Sequence, residues 1–155
     1  MKRFDLTQED VIEFHNTLID LIKKYQFRDR NQGTCYGISV SQCYILETLN
    51  SFGGLTMNEL ATKMHLDIST VSRIVENLLV KKLVTKNKGL DDQRIRRLML
   101  TEKGKELFLK SWTEVLESEK RIIEKIKPEN RRELIDLLKE LNRSVDSWQK
   151  SCNIK

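Results

Sequence analysis

Apolar residues recur along most of this chain at spacings of three and four. Val11, Phe14, Leu18, Leu21, Ile22 and Tyr25 form one stripe, which predicts a first helix from Leu6 to about Tyr25. The polar stretch RDRNQGTCYG, with Gly33 and Gly37, is expected to break it. A second helix is predicted from about Ser41. It is apolar from Cys43 to Leu49 and stopped by the glycines of NSFGG.

The next segment carries its own punctuation. In TMNELATKM, Thr56 stands three residues before Glu59, the capping-box spacing in which each side chain accepts from the other's backbone N–H. A short helix, Met57 to Met64, should follow. HLD makes a tight break, and Asp67 is placed to cap another helix, Ile68 to about Lys82. In that helix Val71, Ile74, Val75 and Leu78 would face inward, and Ser69, Thr70, Ser72, Arg73, Glu76 and Asn77 outward. Two short helices joined by a turn of three or four residues make a helix-turn-helix, and the small Ala61 suits their close approach.

The periodicity then changes to two. LVTK reads as a strand, NKGLDDQ as a turn from Gly89 to Gln93, and RIRRLML as the return strand. Arg96, Leu98 and Leu100 would share one face, with Ile95, Arg97 and Met99 on the other. A strand pair directly after a helix-turn-helix is a wing. Thr101 is placed to cap a long helix with Glu102 in its first turn, where a carboxylate meets the positive helix end. That helix carries Phe108, Trp112, Val115, Leu116, Ile122, Ile123 and Ile126. Pro128 suits the first turn of a last helix bearing Leu134, Leu137, Leu138, Leu141, Val145 and Trp148. The predicted fold is mainly α: a winged helix-turn-helix, roughly Ser39 to Leu100, with a two-stranded β-wing and long N- and C-terminal helices. The outer helices are too apolar on one face to stand alone in water. The simplest burial is against each other and against a second copy of the chain.

Composition narrows the setting. At 155 residues the chain is expected to be one domain, and 33% charged residues with a single proline fit an ordered, helix-rich one. No apolar run reaches the roughly 20 residues that span a bilayer, and the polar start MKRFDLTQED does not read as a signal peptide, so no membrane partner is expected. Three cysteines, Cys35, Cys43 and Cys152, show no disulfide-framework spacing, which points to a reducing cytoplasm.

Charge changes the picture most. Seven of the 28 Lys and Arg lie between Lys81 and Arg97, against two of the 23 acids, so that segment carries the whole formal net charge of +5. A basic strip beside a helix-turn-helix points to duplex DNA, whose phosphates are neutralised with release of counterions. Ser69, Thr70 and Ser72 are short hydrogen-bonding groups at the start of the recognition helix. Arg73 offers the bidentate fork that fits guanine or a phosphate. Lys88 and Arg96 flank the wing turn.

Other chemistries find little support. There is no Gly-rich phosphate loop, no zinc-ligand spacing and no nucleophile–base set, so neither an enzyme nor a cofactor or metal is expected. His15 and His65 are isolated. Cys35 and Cys43 lie eight apart, which suits two small core thiols or a redox or metalloid sensor; Arg28 and Arg30 are near enough in sequence to lower a thiol pKa. The competing overall reading is a winged-helix module that binds an acidic protein and never reads DNA.

The segment LTMNELATKMHLDISTVSRIVENLLVKKLVTKNKGLDDQRIRRLMLTEKGKEL resembles the core of MarR-family (multiple antibiotic resistance regulator type) transcription regulators. The matching features are Leu60 with Ala61, the run Ser69 to Leu78, Asp92 two residues before Arg94, and Leu100 to Gly104. They cover about a third of the chain, and the order of elements covers nearly all of it. The resemblance implies a single domain over residues 1–155, with 1–30 and 104–155 as interlocking dimerisation helices and 39–100 as the DNA-binding part. It implies a homodimer on a palindromic operator and, commonly in the family, repression relieved by a small-molecule effector or an oxidant. It places Arg94 at the wing arginine that reaches toward the minor groove, with Asp92 set to hold that guanidinium by an ion pair. Arg96 and Arg97 stand where apolar residues are more usual in the family, and one of them is expected to cover the wing with its alkyl stem. No family cysteine motif matches Cys35 or Cys43.

Overall fold

Thr7, Ser39 and Thr56 open three helices in the same way. Each hydroxyl accepts from the backbone N–H three residues on, at 3.1, 3.3 and 3.2 Å, and the side chains of Asp10, Gln42 and Glu59 accept from the N–H groups of Thr7, Ser39 and Thr56 in return. The reciprocal bonds satisfy two donors that a helix start otherwise leaves open. The Thr7 hydroxyl, which also donates to Asp10 (2.6 Å), and then the Thr7 N–H hold the Asp10 carboxyl below the usual carboxylate range, and the bond from the Thr56 backbone does the same for Glu59. Gln42 is buried because its amide is used in this way.

The computed structural model describes residues 6–33, 36–88 and 95–152. Its elements are α1 (Gln8–Gly33), α2 (Val40–Phe52), α3 (Met57–Met64), α4 (Ile68–Val80), β1 (Val84–Lys88), β2 (Arg96–Leu100), α5 (Glu102–Ile123) and α6 (Pro128–Ser151). The fold is thus mainly α with one two-stranded antiparallel sheet. Among the described residues no helix is long and apolar enough to cross a membrane.

Three boundaries differ from the sequence expectation. The first helix does not stop near Tyr25 but runs on to Gly33. RDRNQ is polar, yet Arg and Gln are good helix formers, and no helix breaker occurs before the glycine. α4 ends at Val80, two residues early, because Lys82 takes a left-handed backbone (φ 57°). β1 starts at Val84 and includes Asn87 and Lys88, which the turn-rich composition assigned to the loop.

The chain divides into two units, Met1–Tyr44 and Ile45–Lys155, at a point inside α2. In the first, α1 exposes Val11, Ile12, Phe14, Leu21 and Ile22, and Ile38 is buried ahead of α2. The second holds the main core. Ile45, Leu46, Leu60, Val71, Val75 and Leu78 are fully buried, joined by Leu49, Leu55, Leu83, Val84 and Leu98. Fully burying such side chains contributes about 1.5–3 kcal/mol each. Phe108 of α5 is buried too and stacks on Trp112, with ring centroids 5.8 Å apart.

Gly53, at φ 71°, ends α2 in a conformation that side chains disfavour. Gly104 answers to space instead. A Cβ there would fall within van der Waals overlap of the Leu83 carbonyl oxygen, so the first turn of α5 can lie against the end of the recognition helix only with glycine at this position. Thr101 fastens the same junction. Its hydroxyl accepts from Gly104 N–H (3.0 Å) and donates to Lys82 O (2.8 Å), and its N–H donates to Leu83 O (3.1 Å).

Candidate nucleic-acid interface

The recognition helix owes its direction to three side chains. Val71, Val75 and Leu78 are fully buried, and the half-buried Ile74 flanks them. Their spacing fixes which residues face away. Ser69, Arg73, Glu76 and Asn77 are exposed; Thr70 and Ser72 are half-buried. Among the described residues Arg73 makes no ion pair, so its fork is unoccupied by protein carboxylates. Asn77 donates to the Arg73 carbonyl at 3.0 Å, which keeps that amide on the helix. Asp67 occupies the N-cap position with extended backbone, but its carboxylate makes no capping bond, contrary to the role its sequence position suggested.

The turn before α4 is tight. His65 adopts φ 51° and its N–H closes the end of α3 on Thr62 O at 3.2 Å, while Leu66 N–H bonds Ala61 O at 3.1 Å. His65 therefore serves through its backbone and leaves its ring at the surface. Ala61 is buried, small enough for α3 and α4 to meet. His15 lies exposed on α1.

The wing leaves the helix-turn-helix at Leu83. Its register pairs Val84 with Leu100, Thr85 with Met99, Lys86 with Leu98, Asn87 with Arg97 and Lys88 with Arg96. Leu98 is buried and bonds Leu55 reciprocally, N to O at 2.7 and 3.1 Å, so the chain before α3 adds a bridge to the sheet. Arg96 shares the face of Leu98 by alternation but projects past the core into solvent, whereas Leu100 is half-buried. Lys88 and Arg96 stand directly opposite each other, both exposed, with no carboxylate bridging them among the described residues. Like charges in direct register destabilise a hairpin. Their juxtaposition suits an anionic partner. Asp92 and Arg94, the expected wing ion pair, lie outside the described residues, as does the turn from Gly89.

Arg97 lies on the strand face predicted for it, opposite that of Leu98, but its guanidinium is bonded within the protein. Its guanidinium reaches across the sheet edge and donates from Nη1 to Gly54 O at 2.9 Å and to the Glu59 carboxylate at 3.3 Å. Sequence reasoning missed this bond; residues 43 positions apart carry no local signal of it.

Cys43 is half-buried in α2, and Cys35 lies outside the described residues. Arg28, considered as a neighbour of the thiols, sits over the Tyr25 ring at 4.3 Å; the side chain of Arg30 lies outside the described set. Among the described residues no three His, Cys, Asp or Glu side chains gather as a metal site would require. Glu47 of α2 is half-buried, and burial pushes its carboxyl above the ordinary range.

Comparison with known proteins agrees with this geometry. Residues 38–95 match the model of the MarR family. The chain is similar to the HTH-type transcriptional regulator YdgJ of Bacillus subtilis (strain 168), 28% identical over 113 residues, which span 73% of this chain and 69% of that one. It shares the fold of a MarR family protein from Bacillus stearothermophilus, with a TM-score of 0.82 and 24% identity over 92% of this chain and 99% of that one. It is also similar to a MarR/EmrR family transcriptional regulator from Acinetobacter sp. ADP1, at TM-score 0.75 and 29% identity, covering 88% and 98%. The Bacillus subtilis and Acinetobacter proteins are named as transcriptional regulators. The MarR-family pattern thus lies over the helix-turn-helix and the first wing strand, and the chain resembles that family's DNA-binding transcription regulators through its flanking helices as well.

Proposed function

We propose that the chain is a homodimeric, sequence-specific repressor that occupies a palindromic operator and is released by a small ligand or a thiol-reactive signal. The observation that carries the DNA reading is the set of groups left outward by the core. Ser69 and Arg73 stand exposed on α4 with the half-buried Thr70 and Ser72 beside them, and Lys88 and Arg96 crowd the wing end without a carboxylate between them among the described residues. In this reading α4 enters the major groove with its N-terminal residues near base edges. Arg73 takes guanine O6/N7 or a phosphate, and the Ser and Thr hydroxyls take phosphates or bases. Lys88 and Arg96 meet the backbone beside the groove, and Arg94, held by Asp92, reaches toward the minor groove.

Dimerisation rests on a separate observation. Leu116 and Ile122 of α5 and Leu137, Leu138, Val145 and Trp148 of α6 stay exposed in the single chain, as do Val11, Phe14, Leu21 and Ile22 of α1. Monomeric proteins rarely leave such stripes open. Residues 1–30 and 104–155 are accordingly the dimerisation segments of one MarR-type domain, residues 1–155, and 39–100 its DNA-binding part. Release is assigned to an effector acting on these helices, or to oxidation or metalloid capture at Cys35 and Cys43.

Selection of bound fragments from a random duplex library tests the reading. The expected result is a two-fold-symmetric motif with half-sites about one helical turn, or a multiple of it, apart. Failure to enrich any sequence, together with binding to an acidic protein partner, would favour a winged-helix interaction module instead. Peroxide or a thiophilic metal should release DNA from wild type but not from Cys35→Ser or Cys43→Ser if the thiols are the sensor.

A further inference from the structure

Arg96 and Arg97 are adjacent on β2, and successive strand residues point to opposite faces. A single DNA surface therefore cannot use both in the same way. Arg96 is exposed, in register with Lys88 at the outer end of the hairpin. Arg97 turns to the other side, where its Nη1 is held between the Gly54 carbonyl at 2.9 Å and the Glu59 carboxylate at 3.3 Å. The approach of strand and loop is close. A Cβ added at Gly54 would lie 3.3 Å from Met99 Cγ and 3.5 Å from Arg97 Cβ. Glu59 is already fixed, since it accepts from Thr56 N–H at 2.7 Å as the second half of the α3 capping box. The guanidinium thus links the wing to a carboxylate that is itself tied to the first turn of α3.

We infer that Arg97 is a positioning residue for DNA binding: it braces β2 against Gly54 and Glu59, setting the wing at a fixed angle to the helix-turn-helix, and neutralises no phosphate. The inference rests on the reading that the wing meets DNA. It removes one cation from the electrostatic count of the basic segment. It also explains an arginine on a strand that is otherwise apolar from Leu98 onward. A planar fork can serve two fixed acceptors from one nitrogen, and a flexible ammonium holds such a geometry less well.

The test compares Arg97→Gln, Arg97→Lys and Arg96→Gln in the full-length chain by two readouts. The first is affinity for an operator duplex, or for a random duplex if none is known, across a salt series. The second is amide hydrogen exchange at Leu55 and Leu98 without DNA. Arg96→Gln should lower the log–log salt slope by about one, because a phosphate contact is lost, and leave exchange unchanged. Arg97→Gln should weaken binding roughly five-fold, the scale of one ordinary hydrogen bond's net worth, with the slope kept and both amides exchanging faster. Arg97→Lys should fall between wild type and Arg97→Gln in affinity and exchange, and it carries the test if the Gln variant does not fold. A slope that drops by about one in Arg97→Gln, with exchange unchanged, overturns the inference and makes Arg97 a phosphate contact. Unchanged exchange and unchanged affinity overturn it equally, because the brace then sets nothing. If wild type binds no duplex at low salt, the DNA reading fails, and the exchange data still decide whether Arg97 holds the wing.

Discussion

α4 and α6 are both amphipathic helices of the same unit, and they meet opposite fates. α4 spans 13 residues and buries Val71, Val75 and Leu78 completely. α6 spans 24 residues and buries none, leaving Leu137 at 56% and Trp148 at 59% exposure. A stripe of apolar residues says that a helix has a face to cover, not which chain covers it. The winged part closes its core within one chain. The long helices have apolar faces in excess of what one chain uses, and that excess is the physical argument for a second copy.

Substitutions that strike one region and spare the other sharpen this contrast. The largest effect is expected in the closed core. Leu98→Ala, at a side chain 1% exposed, should cost about 2–5 kcal/mol in equilibrium denaturation, from lost burial and the cavity left behind. Gly104→Ala should cost about 1–3 kcal/mol, because the new methyl needs the α4–α5 junction to shift away from the Leu83 carbonyl. Thr56→Ala should cost about 1 kcal/mol, the value of one N-cap, read in the same denaturation series. Leu137→Glu on α6 should change the stability of the isolated chain by less than about 0.5 kcal/mol, as exposed positions do, yet lower the sedimenting mass if α6 joins two copies. Loss of the fold in that variant, or an unchanged mass, would break the comparison.

The smallest effect is a pH dependence at the capping box. Glu59 is held below its ordinary value of 4.5, chiefly by its bond from the Thr56 backbone. Its contribution is therefore complete above that value and is lost as pH falls through the lower folded-state value. The stability gap between wild type and Glu59→Gln should narrow as pH drops below 4.5. A gap that widens on acidification would contradict the assignment.

Much of the fold was legible because its punctuation is local. Thr56 and Glu59 announce α3 from three residues apart, Thr101 and Pro128 mark the last two helices, and alternation from Arg96 to Leu100 marks the return strand. The same spacing stands at Thr7–Asp10 and Ser39–Gln42, where Asp and Gln complete the pair. What could not be read was set by backbone conformation or by contacts across the fold. α1 continues past Tyr25 because polar residues do not end a helix, and Lys82 turns the chain by a backbone angle no composition reveals. The candidate interface was legible as a charge excess but not as a division of labour. Arg96 and Arg97 look alike in sequence, and only the Gly54 carbonyl and Glu59 separate them. Asp67 shows the converse, a residue placed as a cap whose carboxylate does not cap.

Sedimentation of the full-length chain with a labelled duplex, with and without added salt, tests the central claim most directly. The account predicts a species heavier than the 18.3 kDa chain in the absence of DNA, two chains per duplex at low salt, and loss of the complex as salt rises. A chain that stays at its monomer mass and leaves the duplex unshifted at low salt would contradict it.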